Sequence, residues 1–448
     1  MGRFPFFLLC FVTVISCFPM SLYADDQAVT LNRMAELYRV VGEYDKAESM
    51  YKLVLSIEEK IYGPEHARVA ATLNNLALVY DSLGDADRAE PLYRRSLTIR
   101  EKVYGPDHPD VAVTLKHMGG LYDSLGEYAR AMTFYHRALG IDEKLYGSEH
   151  MDVAMDLGNL ASVYHALGEY ARAESLYKRT LAMEKKIRGS EDSFVAATIS
   201  NLAGLYHIIG EYARAKPYYH RALEIKERIY GSGHNRVGII LYNLGELNFQ
   251  LGKYDQAGFL YRRALTIAGI NDMPELRWRV QDGLSYLLGH QEYPDVAIFF
   301  GKYAVNTIQE LGDNISPMEK MLQRHSLTNQ ENVYKTLEGL LTEQERFSEA
   351  REMALMLGNR EDAGKTDARP VKCSFNATEQ AYADRYVKIS AKLTAIGKQL
   401  SEIQEKRKNE MTRAEQARLN ENLTDIRKIF NEYLIELTTN KLQTPNPK

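Results

Sequence analysis

The stretch LNNLALVYDSLGDADRAEPLYRRSL, Leu73 to Leu97, decides the fold. Leu73, Leu76, Ala77 and Tyr80 are spaced i, i+3, i+4, i+7, which marks one face of a helix. Gly84 then interrupts the pattern, and a residue without a Cβ suits a helix C-terminus or tight turn. Ala89, Leu92, Tyr93 and Leu97 supply a second apolar face, and alanine at the first of these positions lets two helices approach closely. Gly105 and Pro106 end the second helix, because proline cannot continue it. One such pair cannot bury both faces, but a stack of pairs can.

The pair recurs with a 42-residue period from Ala28 to about Thr266. A glycine column runs Gly42, Gly84, Gly126, Gly168, Gly210, Gly252. An alanine column runs Ala47, Ala89, Ala131, Ala173, Ala215, Ala257, and a tyrosine column Tyr51, Tyr93, Tyr135, Tyr177, Tyr219, Tyr261. Unbroken columns of this kind exclude coincidence, and a period of this length indicates a solenoid. The expected fold class is all-α.

The pattern resembles a tetratricopeptide repeat (TPR). Leu76, Ala77 and Tyr80 occupy the usual positions of its first helix, and Ala89, Tyr93 and Ser96 those of its second. The usual unit is ~34 residues. The surplus here carries a Y-G-P-x-H segment, as in YGPDHPDVA (Tyr104–Ala112), and this longer form resembles the kinesin-light-chain type. The resemblance implies a right-handed superhelical solenoid with six units over residues 28–269. Two degenerate units follow over residues 274–360, the second with Glu345 where the repeat glycine would stand.

Residues 361–376, with Pro370, read as a linker. Tyr382, Tyr386, Ile389, Leu393, Ile396, Leu400 and Ile403 then form a heptad seam. TRAE (Thr412–Glu415) has the capping-box pattern, and Leu419, Leu423, Ile426, Phe430, Tyr433 and Leu437 form a second seam. The expectation is an antiparallel coiled-coil hairpin over residues 377–440, followed by a disordered tail, 441–448.

This order of parts, with AIFFGKYAVNTIQEL (Ala297–Leu311), is similar to the N-terminal half of bacterial TPR proteins that carry a CHAT-type, caspase-like protease. In that family the protease would begin about where this chain stops. A caspase-like site needs a thiolate nucleophile beside an imidazole base. No histidine follows His325, and Cys373 lies in the linker, so that chemistry is not expected in this chain.

The N-terminus reads as a targeting segment, residues 1–24. Arg3 is followed by the apolar run Phe4–Phe18, and SLYA ends at Ala24 as a cleavage site. An alternative is VISC (Val14–Cys17), which resembles a lipoprotein box with Cys17 lipidated. Either way the chain is expected to be exported: periplasmic or secreted, or lipid-anchored. After cleavage only Cys373 remains, read as a free, semi-exposed thiol. The net charge of −4 gives no reason to expect nucleic acid as a partner.

Two residue columns attract attention. His66, His108, His150 and His234 recur in the Y-G-x-x-H segments, with Asp192 at the equivalent place in the fourth unit. Zinc ligands sit ~2 Å from the ion, whereas neighbouring helices are ~10 Å apart. Neighbouring histidines therefore cannot share one ion, and they read as corner residues that pack or cap.

The other column is Arg33, Asn75, His117, Asn159, Asn201, Asn243. On a helical wheel Asn75 lies about 200° from Leu73, outside the apolar arc. Asn74, Leu78, Asp81 and Ser82 share that free arc. In the resembled family this position lines the peptide groove. An amide offers donors and an acceptor without charge, which suits the backbone of an extended peptide. The alternative is that each asparagine bonds a neighbouring helix and braces the stack. Asp81, Asp123, His165 and His207, with Arg39 and Phe249, form a varied column on the same arc.

Glycine-rich phosphate loops and H-E-x-x-H are absent. The sequence therefore predicts a non-catalytic scaffold without cofactor or metal. It would bind a peptide or helix of a protein partner in a concave groove. A regulatory subunit of a split caspase-like system, and self-association through the hairpin, stand as alternatives.

Overall fold

Each helix pair turns on its glycine. The computed structural model describes residues 24–313, 324–362, 372–406 and 413–438, and all its regular structure is α-helical. Gly42, Gly84, Gly126, Gly168, Gly210 and Gly252 take φ between 69° and 82°. The next N–H bonds to the carbonyl five residues back: Asp85 to Tyr80, Glu127 to Tyr122 and Glu211 to Tyr206, each at 2.8 Å. This Schellman closure satisfies carbonyls that a helix end leaves free.

The helices so bounded are α1 (24–40), α2 (Tyr44–Tyr62), α3 (Ala67–Ser82), α4 (Ala86–Tyr104), α5 (Pro109–Ser124), α6 (Tyr128–Tyr146), α7 (Met151–Ala166) and α8 (Tyr170–Arg188). Then come α9 (Ser193–Ile208), α10 (Tyr212–Tyr230), α11 (Asn235–Gln250), α12 (Tyr254–Ile270), α13 (Pro274–His290) and α14 (Pro294–Asp313). The last four are α15 (Arg324–Glu343), α16 (Phe347–Asp362), α17 (Ala377–Lys406) and α18 (Arg413–Thr438). They form two compact units, one up to Met183 and one from Glu184 onward. The targeting segment, Cys17, Thr412 and the tail 441–448 lie outside the described residues; Ala24 opens α1.

Within a pair, the alanine column is fully buried and the tyrosine column nearly so. At Gly119 a Cβ would stand 2.6 Å from the Tyr135 ring, and at Gly245 it would stand 2.5 Å from the Tyr261 ring. Between pairs, salt bridges recur 36 residues apart on the second helices: Glu59–Arg95 at 2.7 Å, Glu101–Arg137, Glu143–Arg179 at 3.3 Å, and Glu227–Arg263 at 2.6 Å. Each is at least partly exposed and contributes at most ~1 kcal/mol.

Below them a polar pair joins first and second helices. Thr72 donates to Glu58 at 2.7 Å, and Arg100 donates to Thr114 at 2.9 Å. The next such pair, Asp142 on α6 with Asp156 on α7, departs from this pattern, and both are buried. Neither oxygen of Asp156 accepts a hydrogen bond from a described residue. Burial pushes its carboxyl far above the ordinary 3.8; the Lys116 charge opposes this, and Asp142 adds to it.

The hairpin folds back on the second unit. The Tyr433 hydroxyl donates to the Tyr382 carbonyl, and Tyr386, later in α17, lies 5.8 Å from the ring of Phe430, earlier in α18, so the two helices run antiparallel; Arg385 also pairs with Glu436 at 2.5 Å. Tyr386, Ile389, Leu393, Leu423, Phe430 and Leu437 are buried. These buried seam residues belong to helices that pack on each other and on α12 and α14. Thr394 donates to the Gly269 carbonyl at 2.8 Å, and Tyr386 lies 4.7 Å from the Tyr303 ring.

The end of the expected linker is likewise packed. Cys373 is 4% exposed rather than semi-exposed, and its N–H donates to Asn306. Burial raises its thiol to about 12, which keeps it unreactive. Asn376 and Glu379 form a reciprocal capping box at 2.9 Å that starts α17. The buried Lys302 of α14 donates to Glu349 (2.5 Å), Ser374 O (2.7 Å) and Glu379 (2.7 Å).

In the degenerate units, Glu292 and Glu345 hold the turn glycine's place at φ 64° and 57°. The Schellman bonds persist, Tyr293 to Leu288 at 2.9 Å and Arg346 to Leu341 at 2.8 Å. A left-handed L-residue costs ~1–2 kcal/mol, partly offset by glycine's greater freedom in the unfolded chain. Glu345→Gly should therefore raise stability by about 0.5–1 kcal/mol in urea titration.

Asp156→Thr should stabilise in a pH-dependent way. In the unfolded chain Asp156 ionises near its ordinary value, while in the fold it holds its proton to much higher pH. Wild-type stability therefore falls as pH rises from about 4 toward the folded value. The gain in melting temperature for Asp156→Thr should be larger at pH 8 than at pH 5; an equal gain at both would contradict the assignment.

Candidate partner-binding face

The Y-G-x-x-H corner places each first helix. His66, His108, His150 and His234 stack on Tyr62, Tyr104, Tyr146 and Tyr230, with ring centroids 4.6, 4.2, 4.3 and 4.6 Å apart. Each Nδ1 accepts the backbone N–H two residues on: Arg68 (3.2 Å), Asp110 (3.2 Å), Asp152 (3.3 Å) and Arg236 (3.2 Å). The histidines are N-caps. Asp192 does the same work for Phe194 at 2.8 Å.

So positioned, α3, α5 and α7 lie side by side in the first unit, and α9, α11 and α13 in the second. The expected column falls on these helices. Arg33 and Asn201 are exposed, while Asn75, Asn159 and Asn243 are half-buried. Arg33 and Asn75 share a recess of about 280 Å³ with Asn32, Glu58 and Arg68. The amides of Asn75, Asn159, Asn201 and Asn243 make no side-chain hydrogen bond to other described residues.

His117 differs. Its Nδ1–H donates to Asn74 Oδ1 at 3.0 Å, joining α5 to α3. Asn74 is 3% exposed, so it does not belong to the free arc expected for it. Helical periodicity treats a helix in isolation, whereas here the next repeat covers that edge. Burial, with help from Arg100, Lys116 and Arg39, lowers His117 to about 4.

The varied column sits deeper than its polarity suggests. Burial raises Asp81 to about 6, against the pull of a Tyr93 hydroxyl 3.4 Å away, and raises Asp123 too. His165 meets Tyr170 and Tyr177 edge-on, and His207 meets Tyr212 and Tyr219 likewise. Burial lowers both histidines, which moves any change of charge away from neutrality.

Sequence reasoning did not anticipate a second cavity, about 670 Å³, among α13, α14 and α17. Its charges already satisfy one another. Asp272 pairs with Arg277 (2.9 Å) and Lys398 (3.3 Å), and Glu310 pairs with Lys372 (2.6 Å).

Paired helices on a 42-residue period, with small residues under tyrosines, define a helical-repeat scaffold. The Tetratricopeptide repeat profile matches residues 26–102, 82–144, 125–186 and 194–269, just over half of the sequence. The chain belongs to the tetratricopeptide repeat family. No curated protein matches it. Among solved structures it is similar to apo RapI, at 18% identity over 66% of this chain and 99% of that one, TM-score 0.50. Aspartyl phosphate phosphatase F from Bacillus subtilis is 13% identical over 78% of this chain and 87% of that one, TM-score 0.51. A putative kinesin light chain from Podosopora anserina with TPR-like repeats is 23% identical over 45% and 95%, TM-score 0.39. The first two likenesses concern the fold alone.

Capping predicts a specific tolerance. His108→Ala should cost ~1 kcal/mol of stability, the usual loss of an N-cap. His108→Asp should stay within ~0.5 kcal/mol of wild type, because Asp192 already caps the next unit but one. Zinc or EDTA should leave both melting curves unmoved.

Proposed function

We propose that this chain is a non-catalytic protein-binding scaffold. It holds an extended peptide or a helix of a partner along the first-helix faces of its repeats. The observation that carries this reading is the asparagine column. Four amides recur at one helical position, face solvent at least in part, and bond to no described neighbour. A bracing role would have consumed them, as it consumed Asn74 and His117. Unspent donors and acceptors at a fixed repeat suit a peptide backbone, whatever its sequence. Arg33 extends the row at its start, and Asp81, Asp123, His165 and His207 would set side-chain preference. Export, by cleavage at Ala24 or lipidation at Cys17, is part of the proposal.

A second reading makes the chain the regulatory subunit of a split caspase-like system. It rests on the likeness of Ala297–Leu311. This segment of α14 ties the repeats to the hairpin through Lys302 and Phe299, which lies 6.0 Å from the Tyr386 ring. A caspase-like protein encoded beside this chain and co-purifying with it would favour that role.

The test takes a partner recovered by pull-down and measures its affinity. Asn201→Ala with Asn243→Ala should weaken binding about fivefold while helix content and melting stay unchanged. Unaltered affinity would return the asparagines to a structural role.

A further inference from the structure

The second unit carries an acidic and aromatic patch whose carboxyls pair with no cation among the described residues. On α11, Tyr242, Glu246 and Phe249 are spaced i, i+4, i+7 and share one face. On the adjacent α13, Asp282, Tyr286 and His290 share another.

The carboxyls lack a cation. Glu246 accepts a hydrogen bond from the buried Tyr261 hydroxyl, and no described Lys, Arg or His pairs with it. Asp282 Oδ1 is sealed from solvent and accepts no hydrogen bond from any described residue. Burial raises both groups; Asp282 reaches about 7, with the Glu246 charge contributing. The nearby Arg279 lies over the Trp278 ring, 5.4 Å from its centroid. On the second helices, by contrast, glutamates recur in salt bridges. Two close, poorly solvated carboxyls left without a countercharge destabilise a fold unless something is gained.

The aromatic rings point the same way. Phe249 lies 5.1 Å from Tyr286 and 5.3 Å from His290, and Tyr286 lies 4.9 Å from His290. Tyr286 is 48% exposed. Exposed aromatic faces beside unpaired carboxylates are what a cationic side chain seeks, by charge and by cation–π attraction.

We propose that this patch is the anchor site for a basic side chain, arginine or lysine, of the bound partner segment. Glu246 and Asp282 supply the countercharge, and Phe249 and Tyr286 cover the apolar stem. This rests on the scaffold reading above and adds the chemistry of one position in the partner. Of the two basic residues, arginine fits better, because its planar guanidinium both stacks on rings and bonds carboxylates.

The test uses the full chain and a fluorescein-labelled peptide of five Gly-Arg repeats, with five Gly-Glu repeats as control. Fluorescence anisotropy at 150 mM salt should show binding of the arginine peptide alone. Glu246→Gln with Asp282→Asn should weaken it at least fivefold, and Tyr286→Leu at least twofold. The double variant removes like charges, so its melting temperature should not fall, which separates lost binding from lost fold. Absence of binding, equal binding of the Gly-Glu peptide, or affinity unchanged in the double variant would overturn the proposal. A pulled-down partner that is weakened by the Asn201/Asn243 double variant but not by the Glu246/Asp282 one would overturn the basic anchor and leave the scaffold standing.

Discussion

A tyrosine ring pressed against a residue with almost no side chain is the contact on which the repeats depend. The rings of Tyr135 and Tyr261 occupy the space that a Cβ of Gly119 or Gly245 would need. The alanine column is fully buried in all six units, where its small side chain lets the second helix of each pair approach its neighbours closely. Interiors tolerate little excess volume. Small residues at these positions therefore set the spacing within each pair, and that spacing sets which edge of each first helix stays uncovered. The candidate binding residues are what remains on that edge.

The tyrosines end in hydroxyls, and these link core to surface. Tyr51 donates to Glu36, Tyr261 to Glu246, and Tyr93 lies within reach of Asp81. The same ring that packs the core thus holds an acid at the exposed edge. Second-helix acids meet arginines of the neighbouring repeat, whereas Glu246 and Asp282 on the first-helix side meet none. At these two positions the first-helix side lacks the countercharge that the second-helix acids have.

Much of this was legible from periodicity. Helix pairs, turn glycines and corner histidines each depend on a few residues at fixed local offsets. Local offsets survive in sequence. What escaped depends on neighbours. Asn74 looked free because its cover is His117, 43 residues away on the next repeat. Cys373 looked loose because its pocket is built by Asn306 and Met353. The hairpin looked independent because its docking partners, such as Gly269 and Thr266, lie more than 100 residues earlier. Its own heptads still revealed the helices. The glutamate–arginine ladder was present at a regular spacing of 36 residues, but a spacing shorter than the repeat hides from a search at the repeat period.

Lys302 has a consequence for how this protein can be divided. Its side chain is 1% exposed, and its described hydrogen-bond partners all arrive later in the chain, the last of them Glu379. A fragment ended after the last helix pair would keep a buried cation with one carboxylate in place of two, and an open cavity where Ser374 and Glu379 should sit. The natural seam for a shortened form is therefore not between repeats and hairpin. The hairpin is the closing piece of the second unit, and a ribosome making this chain completes that unit's interior only when its last helices emerge.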